Sequence, residues 1–216
     1  MLDEVRENKI HGHGRREERV PTGVWEIRVH PATSSDTPSG VENEAPIIDL
    51  HSDIYFMGQA LREARKAMAA EEVPVGAVVV KEGRIISRAW NQVELLKDAT
   101  AHAEMLALTA AQQALGDWRL EKCTLYVTKE PCPMCAGAIV HCRPERVVFG
   151  CPDPKAGAAG SWINLLEANP PLNHRCDVTP GVLGEECLYL IQSFFREARG
   201  RKKIERLNGD SPAIEN

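Results

Sequence analysis

From Ser52 onward the chain alternates helix-like and strand-like stretches, and this alternation limits its possible folds more than any other sequence feature. Apolar residues recur at three- and four-residue steps after Ser52, a period typical of a helix with one buried face. Ser52 or Asp53 is available as its N-cap. The predicted buried positions are Ile54, Met57, Leu61, Ala64 and Met68. Helices that alternate with strands predict an α/β fold, a three-layer α/β/α sandwich around one central sheet.

The remaining elements follow from the same two periods and from the positions of Gly and Pro. Strands are predicted at 73–80 and 85–90, which form a hairpin, and at 124–129, 146–150 and 177–179. Thr100 is predicted to cap a helix that ends at Gly116, and Pro131 to lie in the first turn of a helix through Cys142. A short helix is predicted at 162–168 and a final helix from about 184 past 199.

The first 46 residues show neither period and are rich in charged and small residues, so we expect a flexible N-terminal extension. Within it, residues 24–29 alternate as a weak candidate strand, and the His-Gly-His-Gly run at 11–14 could bind a metal adventitiously. The longest run without a polar side chain, 73–80, is far shorter than the ~20 residues of a membrane helix. No apolar segment typical of a secretory signal occurs in the first thirty residues.

Cysteine usage and charge indicate the compartment and the partners. Seven cysteines at irregular spacings do not form a paired framework, which favours a reducing cytoplasm. The formal net charge is −5, yet residues 196–206 carry six basic and two acidic groups. This basic stretch is either the solvated end of the last helix or a surface for phosphates. Residues 201–216 are therefore predicted to be the basic end of that helix and a C-terminal tail.

Two short motifs carry the chemistry of the chain. They are Thr100-Ala-His-Ala-Glu104 and Glu130-Pro-Cys-Pro-Met-Cys135, and each opens a predicted helix. Unpaired N–H groups and the positive dipole end of a helix favour thiolates and carboxylates there. Cys132 and Cys135 are neighbours in one helical turn and can chelate a single ion.

One imidazole and two thiolates, from His102, Cys132 and Cys135, form a soft ligand set suited to zinc. Three protein ligands leave a fourth position for water, which is typical of catalytic zinc. Cys142 lies two helical turns past Cys135, too far to be the fourth ligand, but other thiols are not excluded by spacing. A Cys-x-x-Cys motif is also typical of thiol–disulfide oxidoreductases, which have no need of the upstream His-x-Glu pair. The remaining cysteines are assigned to packing: Cys123, Cys142, Cys151, Cys176 and Cys187.

The His102-x-Glu104 and Pro131-Cys132-x-x-Cys135 motifs resemble the zinc-dependent nucleoside and nucleobase deaminases of the cytidine and deoxycytidylate deaminase superfamily. Flanking segments resemble the bacterial tRNA-specific adenosine deaminases more narrowly, and together they cover most of residues 51–200. Those segments are 72–77, 90–91, 100–104, 124–138, 146–150, 157–161, 173–175 and 194–196.

The resemblance implies hydrolysis of adenosine to inosine at the wobble position, position 34, of a tRNA anticodon. It also implies a deaminase domain at 47–200 with a cytidine-deaminase-like fold, a mixed five-stranded sheet, and a homodimer. One zinc ion per subunit, held by His102, Cys132 and Cys135, would activate water for attack on C6 of adenine. Glu104, which is not a ligand, would carry the protons. No organic cofactor and no membrane are implied, and the location would be cytoplasmic.

Substrate contacts are also implied by the resemblance. Asn91 would read the extruded adenine through its side-chain amide, and Val73, Pro74 and Val75 would form the pocket wall. A loop with Asp153 and Lys155 would touch neighbouring nucleotides. Arg196 and Arg199 would meet backbone phosphates. Phe194 and Phe195 are predicted to pack in the core.

Two alternatives stay open at this point. One keeps the chemistry but acts on a free base such as guanine or cytosine. The other is a non-catalytic RNA-binding subunit, against which Glu104 argues because such a subunit needs no proton carrier.

Overall fold

The computed structural model describes residues 49–169 and 171–209. The expected extension at 1–46, the candidate strand at 24–29 and the His-Gly run at 11–14 lie outside the described residues, as do residues 210–216 of the predicted tail. Within the described ranges, no helix combines the length and the apolar character that crossing a membrane requires.

One five-stranded sheet organises the described part of the chain. Its strands in chain order are β1 Gly76–Lys81, β2 Arg84–Trp90, β3 Cys123–Lys129, β4 Arg146–Cys151 and β5 Asp177–Thr179. The spatial order is β2-β1-β3-β4-β5. β1 pairs antiparallel with both β2 and β3, whereas β3–β4 and β4–β5 are parallel. The predicted mixed five-stranded sheet is therefore confirmed.

Helices cover both faces of this sheet and complete three layers. They are α1 Asp53–Ala69, α2 Val93–Leu96, α3 Ala103–Leu115, α4 Pro133–Cys142 and α5 Gly184–Gly209. Alternate residues of β1 point to opposite faces. Val79 joins one core cluster with residues of α3 and α4, and Val78 joins the other with residues of α1 and α5. This arrangement confirms the predicted α/β/α sandwich.

The predicted apolar face of α1 is partly wrong. Ser52 caps the helix as predicted, since its hydroxyl accepts a hydrogen bond from the Tyr55 N–H at 3.2 Å. Ile54, however, is 65% exposed. The buried face is centred between Ala60 and Ala64, and at 100° per residue Ile54 lies roughly 110° from that centre.

Two helices begin later than the sequence indicates, because their N-cap residues, His102 and Cys132, still have extended backbone. α3 has His102 as N-cap, while the Thr100 side chain instead donates to Asp98. α4 has Cys132 as N-cap and Pro133 in its first turn, so the placement of Pro131 inside the helix is wrong. Gly116 ends α3 in the left-handed conformation, φ 67°, as predicted.

Two local predictions also differ from the structure. Residues 162–168 form turns and an isolated bridge between Ala159 and Asn164 in place of a short helix. The strand predicted at 73–80 begins only at Gly76, so Val73 and Val75 precede it as irregular backbone. The single-turn helix α2 was missed because four residues are too few to show a period.

Candidate metal centre and substrate cavity

The three predicted metal ligands converge at the N-termini of α3 and α4. His102 and Cys132 are the N-cap residues of these helices, and Cys135 lies in the first turn of α4. Nδ1 of His102 lies 3.7 Å from Sγ of Cys132 and 3.5 Å from Sγ of Cys135. All three ligand atoms lie within 4.8 Å of one another.

This spacing fits zinc. In a tetrahedral site with Zn–N near 2.0–2.1 Å and Zn–S near 2.3 Å, a nitrogen and a sulfur lie about 3.6 Å apart. Among the described residues no further His, Cys, Asp or Glu joins the group. The other thiols and His141 therefore supply no fourth ligand there, and three protein ligands leave one position open for water. Such a donor set with an open position is typical of catalytic rather than structural zinc.

The two thiols differ electrostatically. A hydrogen bond from the Cys135 side chain, assisted by one from His102, lowers the pKa of Cys132 to about 4. The same pairing raises the pKa of Cys135. The hydrogen bond to Cys132 also raises the pKa of His102. The pairing favours ionisation of Cys132 over Cys135, and metal binding requires both thiols to be deprotonated.

Glu104 stands beside this centre without belonging to the ligand group. It lies in the first turn of α3, is only 4% exposed and lines the same cavity as His102 and Cys132. Burial raises its pKa, because the carboxylate loses hydration. A carboxyl group held in this way is suited to exchanging protons with a ligand in the cavity.

The cavity in front of the centre has a volume of about 650 Å³. Val73, Val75 and Asn91 line it, as the resemblance implies. Pro74 is buried but is not among the lining residues, so the structure does not place it on the pocket wall that the resemblance implies. The other lining residues are Glu71, Glu72, Val93, Glu94, Lys129, Glu130 and Phe194.

Glu130, which sequence reasoning quoted only as part of a motif, fixes the loop after β4. Its carboxylate is 2% exposed and accepts hydrogen bonds from the backbone N–H groups of Asp153 (2.8 Å), Ala159 and Ser161 (both 3.0 Å). Burial alone would raise the pKa of Glu130, but a hydrogen bond from the Ser161 side chain together with these backbone bonds holds it below its usual value. A Cβ at Gly157 would collide with this carboxylate, so the loop needs glycine there.

Lys129 is a second residue that sequence reasoning missed. Its ammonium pairs with the Asp153 carboxylate at the edge of the cavity. Asp153 also accepts a hydrogen bond from the backbone N–H of Lys155 at 3.2 Å. The predicted nucleotide-contacting carboxylate is therefore engaged within the protein, while the Lys155 side chain is exposed. No local pattern revealed this pair, because its partners are 24 residues apart.

The predicted phosphate-binding arginines lie on α5. Arg196 and Arg199 are exposed, and Arg196 also donates to the Ser193 hydroxyl at 3.0 Å. The prediction that Phe194 and Phe195 pack in the core is wrong. Phe194 lines the cavity, and Phe195 is 43% exposed. Because Phe194 reaches the cavity, this part of α5 lies at its edge.

Comparisons with known proteins agree with this site. Residues 50–151 match the family model of the cytidine and deoxycytidylate deaminase zinc-binding region. A tRNA-specific adenosine deaminase of Bacillus subtilis is 53% identical over 156 residues, which cover 72% of this chain and 96% of the relative.

Solved structures of deaminases are also similar to this chain. One from studies of A-to-I editing by tRNA:A34 deaminases at the wobble position of transfer RNA is 43% identical, with a TM-score of 0.61. The match covers 63% of this chain and 98% of that chain. A guanine deaminase from Nitrosomonas europaea is 25% identical, with a TM-score of 0.59 over 70% of this chain and 88% of that chain.

Proposed function

The chain belongs to the family of tRNA-specific adenosine deaminases, and from this membership we propose that it converts adenosine 34 of a tRNA anticodon to inosine by hydrolysis. The observation that carries the proposal is the site itself. Two of the three zinc ligands, His102 and Cys132, and the buried Glu104 line one cavity of about 650 Å³, which is large enough for a nucleoside. Replacement of the exocyclic amine by oxygen consumes one water and releases one ammonia.

Each side chain of the site has one task in this reaction. His102, Cys132 and Cys135 hold the ion. Zinc bound there supplies a water that is nucleophilic at neutral pH. Glu104 would take one proton from water as its oxygen adds to C6 and give this proton to ring N1. It would then take the proton of the new C6 hydroxyl and give it to the departing amine.

Val73, Val75 and Asn91 are proposed to hold the adenine base. The two valines offer apolar surface to its faces, and the Asn91 amide offers a donor and an acceptor to one edge. Pro74, which is buried and lies between the two valines in the chain, is proposed to hold them in position. Recognition of one extruded base in a cavity is the usual mode for enzymes that act on a nucleobase.

The first experiment tests the substrate class. An anticodon stem-loop with adenosine at position 34, free guanine and free cytosine are each incubated with the zinc-loaded protein, and ammonia and inosine are measured. We expect inosine from the stem-loop and no ammonia from the free bases. Faster release of ammonia from guanine or cytosine would overturn the RNA substrate and retain the chemistry.

The second experiment tests Glu104. Glu104→Gln keeps the shape of the side chain but cannot carry a proton, so we expect unchanged zinc content and a 10²- to 10⁴-fold lower rate. Glu63→Gln is the matched control, because Glu63 is also 4% exposed but pairs with Lys66 outside the cavity. Near wild-type turnover of Glu104→Gln would contradict the proton-carrying role.

Arg196, Arg199 and Lys155 are proposed to bind RNA phosphates near the cavity. We expect Arg196→Ala combined with Arg199→Ala to weaken stem-loop binding and to reduce its salt dependence by about one to two in slope. A control variant replaces Arg62 and Arg84, which are exposed and do not line the cavity. An unchanged salt slope in the first variant would contradict phosphate contacts by α5.

A homodimer and a cytoplasmic location complete the proposal. Light scattering of the purified protein tests the first, and cell fractionation tests the second. A monomer that remains fully active would contradict the dimer.

A further inference from the structure

Glu72 is a buried carboxylate on the cavity wall to which neither the resemblance nor the mechanism gives a role. It lies between α1 and β1 and is only 1% exposed. Its Oε2 accepts a hydrogen bond from Nδ2 of Asn91 at 3.0 Å, and its Oε1 accepts one from the backbone N–H of Leu95 at 2.7 Å. Among the described residues no Lys or Arg pairs with it. Burying a carboxylate that is held only by neutral donors costs free energy, so its two hydrogen bonds are significant for the structure of the cavity wall.

The first consequence is a fixed orientation of the Asn91 amide. An amide has a donor end and an acceptor end, and only the Nδ2 end is compatible with a neighbouring carboxylate oxygen. The backbone of Asn91 is also held, because its N–H donates to the Val75 carbonyl at 2.9 Å. Since Asn91 lines the cavity, its second N–H proton and its Oδ1 remain for a ligand.

The second consequence concerns α2, which forms another part of the wall. Gln92, the N-cap of this helix, makes no side-chain capping bond. The Leu95 N–H, at the third position of the helix, is satisfied by Glu72 across the cavity wall instead. Val93 and Glu94 of the same turn line the cavity. One carboxylate therefore ties together two separate parts of the wall.

We propose that Glu72 is a positioning residue that sets the hydrogen-bonding pattern presented to the purine by locking the Asn91 amide and α2 together. The proposal rests on the proposed function, since it concerns how that site reads its base. Glu72 acts through Asn91 and does not itself take part in the proton transfers.

Glu72→Gln tests whether the Glu72 carboxylate fixes the orientation of the Asn91 amide. The Leu95 N–H still requires an acceptor, so the new amide oxygen faces Leu95 and its amide nitrogen faces Asn91. Asn91 must then turn its oxygen toward this nitrogen, which reverses the donor and acceptor available to the base. We expect kcat/KM for the adenosine-34 stem-loop to fall roughly tenfold, mainly through KM, as for one mispaired buried polar contact.

A double-mutant cycle separates positioning from simple support of the fold. In an Asn91→Ala background the orientation of the amide no longer exists, so adding Glu72→Gln should lower kcat/KM less than twofold further. The matched control is Glu63→Gln, with similar burial but outside the cavity. Independent, multiplicative losses from the two substitutions would overturn the proposal, and so would a wild-type KM for Glu72→Gln.

A spectroscopic measurement keeps the inference testable if the variant fails to fold or the stem-loop is not a substrate. In ¹⁵N-labelled wild-type protein, the Asn91 side-chain amide is assigned by its disappearance in Asn91→Ala. We expect one of its protons to be protected from exchange by Glu72. Free exchange of both Asn91 amide protons would overturn the positioning role of Glu72. Protection of one proton without inosine formation would leave that role intact and refute the proposed function.

Discussion

Glu130→Gln should destabilise the protein strongly although it changes one atom. The carboxylate accepts three backbone hydrogen bonds, two at Oε1 from Ala159 and Ser161 and one at Oε2 from Asp153. An amide can keep the pair at its oxygen, but its nitrogen then faces the Asp153 N–H, donor against donor. The opposite orientation would forfeit two bonds, so this one is preferred.

The size of the effect follows from these bonds. Loss of charge weakens each of the two retained bonds by about 1 kcal/mol, and the unpaired buried N–H costs about 1–3 kcal/mol. Relief from burying a charge offsets part of this sum. We therefore expect the free energy of unfolding to fall by about 3 kcal/mol, or roughly 6–12 °C in Tm for a domain of this size.

Urea denaturation of the zinc-loaded protein measures the difference, with zinc content checked because Glu130 is two residues from Cys132. Glu121→Gln is the control, since Glu121 is exposed and lies two residues before the buried Cys123, at the opposite end of β3 from Glu130. We expect the control to change stability by less than about 0.5 kcal/mol. If Glu130→Gln retains its zinc and is as stable as the control, the three hydrogen bonds to the Glu130 carboxylate do not stabilise the fold, and the reasoning is refuted.

Three further outcomes test other contacts. Lys129→Met leaves the Asp153 carboxylate unpaired at the cavity edge, so KM for the stem-loop should rise three- to tenfold at low salt. KM should recover when Asp153→Asn is added. Equal KM values for wild type and Lys129→Met would contradict this reasoning. Burial alone would raise the pKa of Asp53, but hydrogen bonds from Arg146 and Tyr126 lower it. The ionised Asp53 therefore stabilises the fold fully above pH ~4, and this contribution disappears as the pH falls through the folded-state pKa. Arg146→Met should therefore flatten unfolding free energy against pH below 4 in urea titrations, and a curve parallel to wild type would argue against the ion pair. Zinc at a hundredfold excess over Kd should raise the free energy of unfolding by about 2.7 kcal/mol. A chelator should remove this gain, and added zinc should restore it. A Tm that does not change with zinc would exclude ligation in the folded state.

The sequence predicted the metal centre well because its chemistry depends on residue type and short spacing. One imidazole and a Cys-x-x-Cys pair are identifiable without a structure, and all three side chains meet as predicted. Periodicity and capping residues likewise located α1, α3, α4 and α5. The starts of α3 and α4 were placed too early, because the N-caps are His102 and Cys132.

The residues that shape the cavity could not be predicted in the same way. Glu72 and its partner Asn91 are 19 residues apart, and Glu130 meets backbone groups 23 to 31 residues away. A glutamate with such partners looks like any surface glutamate in the sequence, because the pairing depends on how strands and loops meet in space. Burial of a carboxylate is therefore the signal that identifies these residues, and it exists only in the folded chain.

The ligands of the metal centre come from two helix starts separated by 30 residues, with β3 between them. An ion that grips both ends in the unfolded polypeptide closes a loop of that length, a restriction worth about 3.5 kcal/mol when the relation for covalent crosslinks is applied. Nascent chains that capture zinc early thus begin their search for the native topology with one long-range contact already made. We therefore expect the yield of folded protein to depend on zinc supply during synthesis.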